Sequence, residues 1–337
     1  MKTIVIVLNW NGKEDILRCL SSLKAVTTEH SVVVVDNGST DDSVSAITTA
    51  FPDVHLIGTG ANLGYAEGNN VGLRYALEQF PDAILILNND TVLDPGILHA
   101  FQKRDLPIQG AKQLQMEAPS RLGQLGGKWN SDTGMFDPVG TNEPANLWNE
   151  PVELDYVSGC ALFVKAEVFR RVGLFDARFF LFWEECDWCF RAAREGYRST
   201  LCPEAIVYHH GSASFVGGLP HTTYYWWRNR LLWVELHCPK AERRRLMWKM
   251  LPDLLLTFRR YVLKSLQRCF AKSTLERRQR LGEYRAILTG VRDYALRRFG
   301  CGPEWLTDEA YRPGVADASA KDHALAKTAT LGNRTDS

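Results

Sequence analysis

The chain has 337 residues, 45% of them apolar, and a formal net charge of +1. That allows one large domain, or a domain with an extension. It excludes a disordered chain and gives no global field to recruit nucleic acid. Eight cysteines scattered over this length fit reduced thiols better than a disulfide framework.

Thr3–Leu8 is β-branched and apolar, a central strand, and ends in Asn9-Trp10-Asn11-Gly12. Met1-Lys2-Thr3 runs directly into it without a signal-peptide pattern, and no run reaches membrane-span length; a cytoplasmic protein is expected. Ile16, Leu17, Leu20 and Leu23 recur at helical spacing. Val32–Val35 is a second buried strand, closing at Asp36-Asn37-Gly38-Ser39. Ser39 with Asp42 has the spacing of a capping box and predicts a helix to about Ala50. Val54–Ile57 is a third strand, followed by Asn62-Leu63-Gly64-Tyr65 and a helix with Leu73, Leu77 and Phe80 on one face.

Ala83–Leu87 is a short apolar run that stops at Asn88-Asn89-Asp90, with turn signals on both sides. It reads as a buried parallel strand. Four strands alternate with helices in about ninety residues, so the fold class is α/β with a mainly parallel sheet. Ligands of such sheets bind beyond the carboxyl ends of the strands. Asn9, Asp36, Asn62, Gly64 and Asn88 to Asp90 are therefore expected at one rim. Asp36 can accept from a base N–H or a ribose hydroxyl, and Gly64 lets the backbone approach a ligand. A carboxylate at Asp90 suits a hard divalent cation on phosphate oxygens, although a plain Asn/Asp turn reads the same way. No G-x-G-x-x-G follows the first strand and no P-loop occurs, so a nucleotide is held some other way.

Asp105–Glu153 is rich in Gly, Pro, Asn and Gln and reads as irregular strands, a hairpin and loops. Tyr156–Ala166 reads as one further strand, with a short helix from Glu167 to Val172. Next, an aromatic lead-in meets Glu184, Glu185 and Asp187. In the first turn of a helix from Glu185 to Glu195 these acids suit the macrodipole. Beside apolar surface they also suit a general base, because clustered carboxylates raise one another's pKa. Cys186-x-x-Cys189 lacks a second pair at zinc spacing and reads as core. His209 and His210 end a later strand, where a metal or phosphate role is open. Arg228 and Arg230 could meet a phosphate or lie on a solvated face. From Lys240 to Arg298 bases outnumber acids about three to one. Such helices can lie on an anionic membrane surface or present a solvated basic face.

In order along residues 3 to 235, these motifs resemble family 2 glycosyltransferases of GT-A fold, close to the bacterial rhamnosyltransferase branch. The set comprises Asn9-Trp10-Asn11-Gly12, Val34 to Asp41, Asn62 to Asn70, Leu87 to Asp90, Ser158-Gly159, Gly173 to Asp176, Glu184 to Asp187, and Val207-Tyr208-His209. The resemblance implies an inverting transferase that moves one sugar per encounter, since the Gln-x-x-Arg-Trp motif of processive members is absent. It implies that Leu8, Asn9, Asp36, Asn62, Gly64, Asn69, Asn88, Asn89 and Asp90 bind the nucleotide-sugar. Asp90 and His209 would meet Mg²⁺ or Mn²⁺. The base position, an Asp in the family, holds Glu185 here, with Glu184 and Asp187 beside it.

The implied donor is dTDP-L-rhamnose, with UDP-sugars also compatible with Asp36. The implied acceptor is a growing cell-surface polysaccharide or lipid-linked glycan. The expected organisation is a transferase domain over 1–238, a basic helical extension over 239–312 that associates with the inner face of the plasma membrane, and a disordered tail over 313–337. Two alternatives are a non-catalytic nucleotide-sugar-binding protein and a sugar-nucleotide pyrophosphorylase, whose basic phosphate loop is missing.

Overall fold

The β-branched run Thr3–Asn9 forms β1, paired in parallel with β2 (Ser31–Asp36) and β4 (Ala83–Asn88). Their crossovers are α1 (Lys13–Lys24), α2 (Ser43–Ala50) and α3 (Gly64–Glu78), with β3 (His55–Gly58) at the edge beside β2. This computed structural model describes residues 1–210, 219–268 and 275–307. The expected tail over 313–337 lies outside the described residues.

β5 (Thr91–Leu93), α4 (Ile97–Arg104) and β6 (Ile108–Gln115) follow. β7 (Gly126–Asn130) and β8 (Met135–Val139) form a hairpin. Next come β9 (Glu153–Leu154), β10 (Tyr156–Val157), β11 (Ala161–Lys165), α5 (Ala166–Val172), α6 (Glu184–Arg194) and β12 (Ser199–His209). The main sheet runs β3-β2-β1-β4-β11-β6-β12-β5, with β9 on β12. Only β11, β5 and β9 run against the rest, so the sheet is mainly parallel as expected. β10 joins the hairpin in a second, three-stranded sheet.

The pleat sends alternate side chains to opposite faces. Val5, Val7, Val34, Leu85 and Leu87 pack on α1, α2 and α4. Ile4, Ile6, Val33, Val35, Ile84 and Ile86 face a second layer that holds α3, α5 and α6. The chain closes with α7 (Pro220–His237), α8 (Lys240–Arg268) and α9 (Leu275–Ala295). α9 lies against α7, where Tyr294 Oη donates to Glu235 at 2.6 Å and Tyr224 Oη to buried Asp293 at 2.9 Å. α8 buries Leu246 and Met250 in the main core. No described helix is long and apolar enough to cross a membrane.

Four local expectations are corrected. Ser39 does not cap α2: its Oγ accepts from Asn11 N and Asn9 Nδ2, and the helix starts at Ser43. Phe80 leaves the buried face of α3, because the chain turns there at φ +51° and puts the ring in solvent. Tyr156–Ala166 is not one strand but β10 and β11, broken at Ser158–Cys160. The supposed irregular segment after Asp105 contains β6, a central strand.

Candidate active site

Register brings the polar strand ends together. Asn9 is opposite Asp36, Asp36 opposite Gly58, and Leu8 opposite Asn88. Fully buried Asn9 links two loops: its Nδ2 lies 3.3 Å from Asp36 Oδ1, and its Oδ1 accepts from Asn89 Nδ2 at 2.9 Å. Asp36 also accepts from Ser39 N. Asn37 donates to Asn62 Oδ1 and Gly64 O and accepts from Leu63 N. The site residues expected from the sequence omit Asn37, although it pins the third loop to the rim. Its place in Asp36-Asn37-Gly38 was the available signal. A Cβ on Gly64, at φ +78°, would collide with Phe180 O. The close approach here is thus to protein backbone and not to a ligand. Asn69 is enclosed within α3 and donates to Tyr65 O, which makes it a brace. Leu8 is half-buried and packs on the α3 layer.

Pairing of β5 with β12 sets Thr91 opposite His209 and so brings Asp90 beside His209. His209 Nε2 and Asp90 Oδ1 stand 3.2 Å apart, and neither atom has a hydrogen bond. Nearby in sequence, Asn88 Oδ1 is buried and unpartnered too. Buried orphan groups of this kind call for a missing partner. Adjacent ligands of an octahedral ion at about 2.1 Å stand about 3 Å apart, so the pair fits Mg²⁺ or Mn²⁺. Among the described residues no third His, Cys, Asp or Glu completes a metal cluster. Diphosphate oxygens and water would fill the remaining positions. His209 Nδ1 pairs with Gln113 Nε2 at 2.8 Å, which fixes the ring.

Glu184 and Glu185 open α6, and each has one buried oxygen without a partner. Burial, then the neighbouring Glu185 charge, pushes the Glu184 carboxyl well up. Burial raises Glu185 to about 7. A Cβ at Gly159 would lie 2.9 Å from Tyr65 Oη and 3.8 Å from Glu185 Oε1. Tyr65 donates to Gly159 O at 2.8 Å. Burial raises its phenol, and the charges of Glu185, Glu184 and Asp90 raise it further. Tyr65 therefore lies in the electrostatic reach of both acidic groups, a role that its place after Asn62-Leu63-Gly64 hinted at.

Asp187 does not join them. It is buried between Arg191 at 2.9 Å and His237 Nε2 at 2.8 Å, and ties α6 to α7. Two residues on from Glu185, it points about 200° away around the helix, as the helix period requires. Arg228 is also removed from any phosphate role: it is fully buried and donates to Arg178 O, Phe179 O and Gly300 O. Arg230 donates to Thr133 O and Gly134 O. Cys186 and Cys189 are buried, free and raised by burial, as core thiols should be.

The lead-in to Glu184 is strained. Phe180, Phe182 and Trp183 sit at φ +64°, +68° and +76°. Asn229 Nδ2 lies 2.7–2.8 Å from the carbonyls of Phe179, Leu181 and Phe182, and Tyr65 N donates to Phe180 O at 2.6 Å. The loop so held joins the start of α3 to the start of α6.

The profile described as Glycosyl transferase family 2 matches residues 4–105. An N-acetylglucosaminyl-diphospho-decaprenol L-rhamnosyltransferase of Mycobacterium tuberculosis is 29% identical over 269 residues, 68% of this chain and 88% of that protein. Residues 4–105 thus match a family 2 glycosyltransferase domain, in a glycosyltransferase that is similar to rhamnosyltransferases. The dTDP-rhamnosyl transferase RfbF of Shigella flexneri is 25% identical, over 56% of this chain and 64% of its own length. A mannosyltransferase from Pyrobaculum calidifontis, solved with GDP-Man and Mn²⁺, shares the fold at TM-score 0.51. It is 14% identical over 88% of this glycosyltransferase and 87% of its own chain.

Proposed function

We propose that this glycosyltransferase moves L-rhamnose from dTDP-L-rhamnose to a hydroxyl of a lipid-linked or growing surface glycan, with inversion and one sugar per encounter. Glu185 is the base. It takes the proton of the acceptor hydroxyl as that oxygen bonds to the anomeric carbon. The bond from that carbon to the diphosphate oxygen breaks, and the nucleoside diphosphate leaves with the electron pair. Asp36 accepts from the nucleobase or ribose, with Asn9 and Asn62 holding the rim. Asp90 and His209 would hold a divalent ion, which supplies charge stabilisation at the diphosphate. Glu184 and Tyr65 shape the field around the base.

One observation carries this reading: Glu185 is half-buried, raised to about 7 and has one buried oxygen without a partner, beside Gly159. A base working near neutral pH needs such a value. The names of the relatives support the donor and a lipid-linked diphosphate-sugar acceptor.

The test is transfer from dTDP-L-rhamnose and from UDP-sugars, with and without Mn²⁺, followed by nucleotide release and product stereochemistry. Glu185→Gln is expected to lower kcat by about 10²–10⁴ with donor affinity retained. Full activity in that variant removes Glu185 from the role. A retained anomeric configuration ends the single-displacement mechanism, and turnover with UDP-sugars alone reassigns the donor.

A further inference from the structure

α8 presents an apolar stripe to solvent. Trp248, Leu251, Leu255, Phe258, Val262 and Leu266 recur at steps of three and four, the period of one helix face. Trp248 is 72% exposed, Leu255 61%, Phe258 57% and Leu266 58%. The opposite face is fixed. Leu246 and Met250 are buried in the core, Arg245 donates to Ser131 O and Asp132, and Lys249 donates to Asp132 O. The helix is thus clamped to the β7–β8 turn, and its outward side is set by that clamp. Exposed apolar surface of this extent on a folded protein marks an interaction site.

Charge selects the occupant. Lys240–Arg268 holds nine Lys and Arg against Glu242 and Asp253. Arg244, Arg259 and Arg260 are exposed along the stripe. A second copy of α8 would bring like charges together. The sequence after Pro313 offers Val315, Leu325 and Leu331 as its only large apolar residues, too few to match six. An anionic lipid surface satisfies both demands: acyl chains take the stripe, and headgroup phosphates take the arginines.

We propose that α8 docks the protein on anionic membranes, lying in the bilayer interface with Trp248, Leu255, Phe258 and Leu266 inserted. This goes beyond the transfer reaction and stands whether or not the donor is dTDP-L-rhamnose. Where both hold, a helix braced on the β7–β8 hairpin keeps the enzyme at the surface that carries a lipid-linked acceptor.

The experiment is flotation of the full chain with phosphatidylcholine vesicles, with and without about 30% phosphatidylglycerol, at about 0.15 M salt. Binding to the anionic vesicles only is expected. Leu255→Glu/Phe258→Glu should reduce it at least about tenfold, and Arg259→Ala/Arg260→Ala should weaken it and flatten its salt dependence. These side chains face solvent, so melting temperature and the donor-induced thermal shift should match the wild type; that control separates failure here from failure of the proposed reaction. Equal flotation of wild type and the Glu variant overturns the proposal. So does a wild-type dimer that the Glu variant converts to monomer, with no vesicle binding by either.

Discussion

At the residue scale the acidic pair makes two opposite demands on pH. In the proposed reaction Glu185 works as a base only when ionised, and burial raises it to about 7. The rate should fall about tenfold per unit below that value, read as kcat/KM between pH 5 and 8. Stability runs the other way. Both carboxyls lie above their unfolded value in the fold, Glu184 the further. The stability they contribute is fully present below about 4.5 and is lost as pH rises through the folded values. The free enzyme should therefore lose melting temperature from pH 5 to 8, and Glu184→Gln should flatten that loss. A wild-type melting temperature that climbs over this range contradicts the burial of the pair. Asp90 and His209 make a separate prediction: Asp90→Ala should remove Mn²⁺ binding measured by titration calorimetry in the presence of nucleoside diphosphate.

At the element scale the loop from Arg178 to Trp183 decides where α6 begins. Three bulky residues at positive φ cost of order 1–3 kcal/mol each and persist only where the surroundings hold them. Asn229 and Arg228 do so from α7, and Gly64 makes room from α3. Asn229→Ala leaves three loop carbonyls without this donor. It should lower stability by about 1–3 kcal/mol in denaturant titrations and reduce kcat while donor affinity stays near wild type. A variant that loses donor binding alone would show that the loop serves the nucleotide instead. Gly64→Ala should be harder on folding, since both its φ and Phe180 O oppose a side chain.

At the scale of the whole molecule, the rim was legible because parallel strands of known direction must place their last residues at one edge. Asn9, Asp36 and Asn88 follow from that rule alone. β6 was not legible. Gln109, Lys112 and Gln113 look like loop text, yet all three are buried, their side-chain nitrogens paired with Phe101 O, Asn149 and His209. Polarity pattern cannot reveal a strand whose polar side chains find partners inside. Arg228 misled for the same reason: it donates to backbone carbonyls of two distant segments, at Arg178–Phe179 and at Gly300, invisible in sequence. The C-terminal helices likewise read as an appendage, but Asp293 and Ala286 of α9 and Leu246 of α8 are buried. A chain ending at Cys238 should therefore lose its cooperative thermal transition by circular dichroism, while one ending at Thr307 keeps that of the full protein.

The hold of α7 on the Arg178–Trp183 loop also bears on the order of events during synthesis. The strands that end in Asn9, Asp36 and Asn88 are complete once Asp90 has emerged from the ribosome, whereas Asn229 emerges almost 140 residues later. Until then nothing from α7 restrains the aromatic turn, and Glu185 has no fixed bearing on the cleft. On the proposed reaction, a nascent chain would therefore hold its acidic pair in place only after α7 has been made.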